Sequence, residues 1–152
     1  MQPDFDFAQL GPLMRQAVPW VRTAGIEFVQ AGPDRVVVAL PDHEETRNHI
    51  GGPHAAMMFG AGETASGAVT LATFADLLDR ATPLVVHAEI HYRRIARGPL
   101  RAEAVLGRPA AEVIAELDAG GRPEFPVHVT IRDTQERTTG EMTVIWTLKP
   151  HG

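Results

Sequence analysis

Residues 53–78 read PHAAMMFGAGETASGAVTLATFADLL, a small and apolar run with almost none of the punctuation that separates strands. Pro53 fits the first turn of a helix, where no backbone N–H is needed. The run therefore predicts a long central helix over residues 53–78. Gly60, Gly62 and Gly67 each cost this helix about 1 kcal/mol of intrinsic stability. We therefore expect another part of the chain to pack very closely against it.

Periodicity and turn residues predict the elements on either side of this helix. An amphipathic helix over residues 5–17, within an N-terminal helical segment of residues 1–20, is expected to end at Pro19. Strands are predicted at residues 25–30, 35–40, 84–97, 100–106, 125–133 and 141–149, with a short helix at residues 109–119. This order predicts an α+β fold in which a curved antiparallel sheet wraps around the long central helix.

Composition predicts one domain over residues 1–152 and excludes several classes of protein. The chain has no cysteine, which excludes disulfides, thiol nucleophiles and thiolate metal sites, and which fits a cytoplasmic protein. A net charge of -5 disfavours a broad surface for nucleic acid. The first residues are acidic, unlike a cleaved signal, and no apolar run reaches the roughly 18 residues of a membrane helix. We expect neither nucleic acid nor membrane as a partner.

Glu63 is the most informative residue of the central run, because it is the only charged residue between Arg47 and Asp76. Burying a carboxylate among small apolar residues is costly and raises its pKa towards the range that suits a general base. The alternative is that Glu63 lies on a helix face that touches water.

The residues just before the helix predict a site for negative charge. Gly51, Gly52 and Pro53 indicate a tight turn that leads into a helix N-terminus, where free N–H groups and the helix dipole favour an oxyanion. The amide of Ala55 and the side chains of Asn48 and His54 are candidate donors. Each side chain could equally be a cap or an ordinary turn residue.

Other polar residues are weaker candidates. Four of the 14 Lys and Arg residues lie within nine positions: Arg93, Arg94, Arg97 and Arg101. This cluster could bind a phosphate, or it could be the solvated end of a strand. Three further polar residues alternate along one predicted strand: His87, Glu89 and His91. Such alternation is found at metal sites but more often marks the solvent-facing side of a strand. We predict no metal site. Ser66 lies one turn beyond Glu63, and no histidine is placed to activate it as a nucleophile.

Over residues 25–149 the sequence resembles the hotdog-fold acyl-CoA thioesterases of the phenylacetyl-CoA and 4-hydroxybenzoyl-CoA type, in a branch of uncharacterised domains. The resemblance rests on Asn48, on His54 six residues later, on Ala55 next to it and on Glu63 nine residues after the histidine. Two features depart from the family. Ala55 replaces the usual glycine. On the strand after the helix, where relatives often place a Ser or Thr that assists water, this chain has Leu84, Val85 and Val86, with only Thr82 close by.

The resemblance implies a hotdog fold and the hydrolysis of acyl-CoA thioesters. Glu63 would activate water or attack the thioester, while the Ala55 amide, with Asn48 and His54, would polarise the carbonyl. The arginines at positions 93, 94 and 97 would hold the phosphates of coenzyme A, which is part of the substrate and not a separate cofactor. Two other functions remain open on this fold, an acyl-thioester hydratase or dehydratase and a non-catalytic acyl-CoA binder.

Helix geometry adds an expectation about assembly. If His54 and Glu63 lie on one helix, they are about 13.5 Å apart along its axis and about 180° apart around it. They then cannot converge on one carbonyl within a single chain. A two-fold homodimer, alone or as a dimer of dimers, would solve this by joining Glu63 of one subunit to the donors of the other.

Overall fold

A computed structural model describes residues 6–152. Within this range the chain forms four α-helices: α1 (Leu10–Ala17), α2 (Pro19–Ala24), α3 (Ala55–Phe74) and α4 (Ala110–Asp118). The same range forms six strands: β1 (Glu27–Gly32), β2 (Arg35–Leu40), β3 (Ala81–Tyr92), β4 (Leu100–Leu106), β5 (Glu124–Arg132) and β6 (Thr138–Pro150). No helix among these residues combines the length and apolar content needed to cross a membrane.

The six strands form one antiparallel sheet in the order β1-β2-β4-β5-β6-β3. Alternate residues of each central strand are buried; on β5 these are Phe125, Val127, Val129 and Ile131. This alternation gives the sheet one apolar face, which packs around α3. The predicted α+β hotdog fold, with a curved sheet around a long central helix, is confirmed.

Large side chains of neighbouring elements occupy the space that the glycines of α3 leave open. A Cβ atom added at Gly60 would lie 2.1 Å from Cη2 of Trp20 in α2. At Gly62 the added atom would lie 2.4 Å from the sulfur of Met142, and at Gly67 it would lie 3.3 Å from the Trp146 ring. The close packing expected from the sequence is therefore present.

The predicted boundaries of the central helix and of the N-terminal helix need correction. The central helix predicted over 53–78 runs from Ala55 to Phe74, with His54 as its N-cap, and continues as a 3-10 turn over Ala75–Leu77. Pro53 precedes the helix because it pairs with Arg47 in an isolated bridge. The helix predicted over 5–17, within a helical segment of 1–20, ends at Ala17 as expected, but α1 begins only at Leu10, after a 3-10 turn over Phe7–Gln9. Pro19 then begins a second helix that runs to Ala24, since its missing N–H is not needed at a first helical position. Residues 1–5 lie outside the described part.

The strand predicted at 84–97 also differs, because β3 begins at Ala81 and ends at Tyr92. The amides of Arg93 and Arg94 both donate to the carbonyl oxygen of Thr139, which turns the chain away from the ladder. The arginines at 93, 94 and 97 therefore follow the strand and do not belong to it. The strand predicted at 100–106 is confirmed residue for residue.

β3 is an edge strand of the sheet. Among residues 6–152 it pairs only with β6, so its other edge carries backbone groups without a strand partner. Leu84, Val85 and Val86 on this strand expose 41%, 40% and 48% of their surface. A long apolar edge of this kind favours pairing with another strand.

The contact between Gly60 and Trp20 generates a stability prediction. We expect Gly60→Ala to lower the free energy of unfolding by about 1–2 kcal/mol, because the clash with the ring outweighs the better helix propensity of alanine. In a Trp20→Ala background the same change should raise it by up to about 1 kcal/mol. Urea unfolding of the four proteins measures both effects. An effect of the same sign in both backgrounds would contradict this packing.

Candidate active site

The turn before α3 is held together by Asn48. Its Oδ1 atom accepts hydrogen bonds from the amides of Ile50 and Gly52, each at 3.0 Å, and its Nδ2 atom donates to the Pro53 carbonyl at 3.3 Å. A side-chain amide carries two N–H bonds, so one remains for a ligand. Asn48 therefore builds the turn and also keeps one donor for the oxyanion role predicted from the sequence.

The segment that follows β3 packs directly against this turn. A Cβ atom added at Gly52 would lie 2.3 Å from the carbonyl oxygen of Ala96, so only glycine allows this approach. The Arg97 guanidinium donates to the Ile50 carbonyl at 3.2 Å. The turn and the segment of residues 93–98 thus support each other.

The N-terminus of α3 presents donors to solvent. The His54 Nδ1 atom accepts the amide of Ala56 at 2.9 Å, which requires Nδ1 to be unprotonated and leaves the proton of the neutral ring on Nε2. The Ala55 amide has no acceptor among residues 6–152. His54 and Ala55 are both exposed. An anionic oxygen placed at the Ala55 amide would meet a backbone N–H at the positive end of the helix dipole, and the Nε2–H of His54 is a second donor at the same helix end.

Tyr92, which sequence reasoning missed, fixes this helix end. Its hydroxyl donates to the Ala55 carbonyl at 3.3 Å from the last position of β3. Partial burial raises the pKa of the Tyr92 phenol, so the phenol keeps its proton for this bond at ordinary pH. The bond orients the peptide unit that follows the free Ala55 amide, and so links the edge strand to the candidate oxyanion site.

Glu63 lies in the third turn of α3 and is half-buried. Among residues 6–152 its carboxylate makes no ion pair or side-chain hydrogen bond, and burial alone raises its pKa above that of an ordinary glutamate. It belongs to the open face of α3, which we define by its incompletely buried residues Ala56, Phe59, Gly60 and Glu63. A carboxylate held in this way is a good proton acceptor.

Within one chain the oxyanion donors and Glu63 remain apart. His54 caps a continuous helix that contains Glu63, so nine residues separate them by about 13.5 Å along the axis. The described chain therefore does not bring the predicted catalytic residues together at a single point.

The three candidate arginines have different surroundings. Arg93 forms an exposed ion pair with Glu141 at 3.1 Å, and Arg97 is bonded to the turn before α3. The side chain of Arg94 is exposed and has no partner among residues 6–152. Arg94 is therefore the most available of the three for a phosphate.

Other hydroxyl and imidazole groups are used elsewhere. The Ser66 hydroxyl is buried, donates to the Glu63 carbonyl and accepts the Trp146 indole N–H, which excludes it as a nucleophile in this arrangement. The Thr82 hydroxyl bonds His151 at the start of β3, whereas Tyr92, which contacts the candidate oxyanion site, is at the other end of that strand. His87, Glu89 and His91 are exposed, and residues 6–152 contain no group of three or more side chains arranged to hold a metal.

Residues 8–148 of the sequence match the model of a family described as a domain of unknown function, DUF4442. No curated protein sequence matches the chain significantly. Solved structures, however, match it in shape at low sequence identity. A Pseudomonas aeruginosa protein of unknown function, called a probable thioesterase, is 24% identical with a TM-score of 0.85, and 97% of each chain is covered.

Two further structures share this architecture. A thioesterase family protein from Silicibacter pomeroyi is 17% identical with a TM-score of 0.77, over 96% of this chain and 100% of the other. The PaaI protein from the phenylacetic acid degradation operon of Escherichia coli is 14% identical with a TM-score of 0.73, over 95% of this chain and 93% of the other. These likenesses confirm the fold that the sequence resemblance implied.

The raised pKa of Glu63 generates a prediction about stability. A carboxyl whose pKa is higher in the folded than in the unfolded state binds more protons when folded, so stability falls as pH rises between the two pKa values. Glu63→Gln removes this loss. We expect the variant to gain thermal stability relative to the parent as pH rises through that window, with the difference constant above it.

Thermal unfolding of both proteins from pH 4 to pH 8 measures the effect. Glu141→Gln provides the control, because that exposed carboxylate pairs with Arg93 and its loss should not stabilise the protein. A difference in stability between Glu63→Gln and the parent that does not move in favour of the variant from pH 4 to pH 8 would contradict a raised pKa for this carboxyl.

Proposed function

Because the chain belongs to the family described as domain of unknown function DUF4442, we propose its activity from the site itself: hydrolysis of acyl-CoA thioesters to a free acid and coenzyme A. The observation that carries the proposal is Glu63, a half-buried carboxylate on the open face of α3 that has no partner within the described residues 6–152. A protein that only bound acyl-CoA would gain nothing from a desolvated carboxylate beside the acyl group. The names of the structural relatives agree with this class of reaction.

The chemistry assigns one role to each group. Glu63 takes a proton from water while the water oxygen bonds to the thioester carbon, and the carbonyl oxygen gains the negative charge. The Ala55 amide and the His54 Nε2–H stabilise that charge, with the remaining Asn48 N–H beside them. When the tetrahedral intermediate collapses, the C–S bond breaks and Glu63 returns its proton to the thiolate. In direct attack, the Glu63 carboxylate would instead bond to the acyl carbon as the C–S bond breaks and the coenzyme A thiolate leaves, and water would then cleave the resulting anhydride.

We propose that two subunits build each site. The unpaired edge of β3 supports a homodimer in which two copies of β3 pair and continue the sheet. Tyr92 ends this strand and contacts the N-terminus of α3, so pairing along β3 would bring the oxyanion donors close to the neighbouring subunit. Glu63 would then act together with Ala55 of the partner subunit, and the dimer would contain two equivalent sites.

Mixed dimers test both the reaction and the shared site. Glu63→Gln and Asn48→Ala proteins should each fold and should each hydrolyse acyl-CoA at well below 1% of the parent rate, because each lacks one half of the machinery. Equal amounts unfolded and refolded together should make about half the dimers mixed, each with one intact site. About a quarter of the parent activity should return.

The measurement is thiol release from butyryl-, octanoyl- and phenylacetyl-CoA, with the two variants refolded separately as controls. Full activity of Glu63→Gln would remove the proposed role of the carboxylate. A mixed sample that stays inactive although hybrid dimers form would remove the shared site. Hydration of an enoyl-CoA without thiol release would favour the hydratase alternative.

The arginines that follow β3 are proposed to hold the phosphates of coenzyme A, with Arg94 as the main contact and Arg93 and Arg97 beside it. Arginine offers a planar pair of donors that suits phosphate. We expect Arg94→Glu to raise KM for an acyl-CoA about tenfold or more while kcat changes little, because the contact is uniform in ground and transition states.

The comparison substrate is the matching acyl thioester of N-acetylcysteamine, which lacks the nucleotide, and its kinetics should not change. Arg108→Glu is the charge-matched control, because Arg108 lies near α4, pairs with Glu116 and has no proposed contact with substrate. Equal losses on both substrates would contradict a phosphate contact at Arg94.

A further inference from the structure

Trp20 packs against the open face of α3, one turn before Glu63. The far edge of its indole ring lies over Gly60, where an added Cβ atom would be 2.1 Å from Cη2 and 2.9 Å from both Cζ2 and Cζ3. Gly60 precedes Glu63 by three residues, which puts the two residues on neighbouring positions of the same helix face. The ring therefore borders the surface from which the carboxylate emerges.

The two ends of this face differ in how they are covered. One turn after Glu63, Gly67 is covered by Trp146, which is only 8% exposed and donates its indole N–H to Ser66. One turn before Glu63, Gly60 is covered by Trp20, which is 41% exposed. The ring on the Trp20 side is therefore partly open to solvent, whereas the ring on the Trp146 side is buried.

The direction of the Glu63 side chain also favours the Trp20 side of α3. Helical side chains lean towards the N-terminus of their helix, so the Glu63 carboxylate is directed towards the turn that contains Phe59 and Gly60. Glycine at 60 leaves that turn without a side chain of its own, and Phe59 is partly exposed beside it. The first large apolar group from another element on this side is Trp20.

We propose that Trp20 determines acyl specificity, with the exposed part of its indole ring forming the wall against which the acyl chain lies and ends. This inference rests on the proposed thioesterase function and adds to it the residue that limits the length of the acyl group. An indole ring offers a rigid apolar surface to an alkyl chain or an aromatic acyl group. Replacing it with a smaller side chain lengthens the space beside Glu63.

Binding of non-hydrolysable thioether analogues of acyl-CoA tests the inference without requiring turnover. Calorimetry would compare butyl, octyl and dodecyl thioethers of coenzyme A on the full chain and on Trp20→Phe and Trp20→Ala. We expect Trp20→Ala to shift the ratio of dodecyl to butyl affinity at least tenfold in favour of the longer chain. Trp20→Phe should shift it less, in proportion to the volume removed.

Leu13→Ala is the matched control, because Leu13 is 49% exposed on the neighbouring helix α1 and makes no contact with Gly60. It should leave the selectivity unchanged. Circular dichroism establishes that each variant folds, and Trp20→Phe keeps the test decisive if the alanine variant does not.

The outcomes separate this inference from the proposed function. Equal changes for all three chain lengths, or none, would overturn the role of Trp20 even if the parent hydrolyses acyl-CoA. A Trp20-dependent selectivity in a parent that releases no thiol would overturn the hydrolase and support Trp20 as the wall of a binding site. A parent that binds none of the analogues would overturn both.

Discussion

Close approach of aromatic and thioether side chains to the glycines of α3 is the constraint on which the other features depend. Each glycine weakens the helix by about 1 kcal/mol in isolation, and tertiary packing offsets that cost. Met142 and Trp146 enter from the sheet side and Trp20 enters from the N-terminal helices. The sheet can curve tightly around α3 because the helix surface is small. The same small residues leave a face on which the Glu63 carboxylate has no ion-pair or hydrogen-bond partner among residues 6–152.

That carboxylate and the donors at the start of α3 belong to different physical environments. Glu63 sits in an apolar setting where burial favours the protonated form and makes the ionised form a stronger base. Ala55 and His54 lie at an exposed helix end whose dipole favours negative charge. The length of α3 keeps the donors at its start away from the Glu63 carboxylate, so they do not stabilise the charge on Glu63 within one chain. The hydrolysis that we propose would need a second subunit to bring them together.

The sequence predicted the fold well because its decisive signals are local. The glycine and alanine content of residues 53–78 and the alternation of the later strands depend on few distant contacts. The first helix ends at Ala17, as predicted, but the second helix that begins at Pro19 was missed, since proline both ends and begins helices. Tyr92 and Trp20 were missed for another reason. Their contacts are a backbone carbonyl and a glycine, neither of which leaves a pattern in the sequence.

The contact between Gly52 and the Ala96 carbonyl also bears on how this domain can be recombined with its relatives. The two segments, residues 47–53 and 93–98, are distant in sequence, but they approach so closely that a Cβ atom added at Gly52 would lie 2.3 Å from the Ala96 carbonyl oxygen. A chimera that exchanged only one of them would place a side chain or a shifted carbonyl in that gap. Crossover points in a library of family members should therefore keep both segments from the same parent, as one inherited unit.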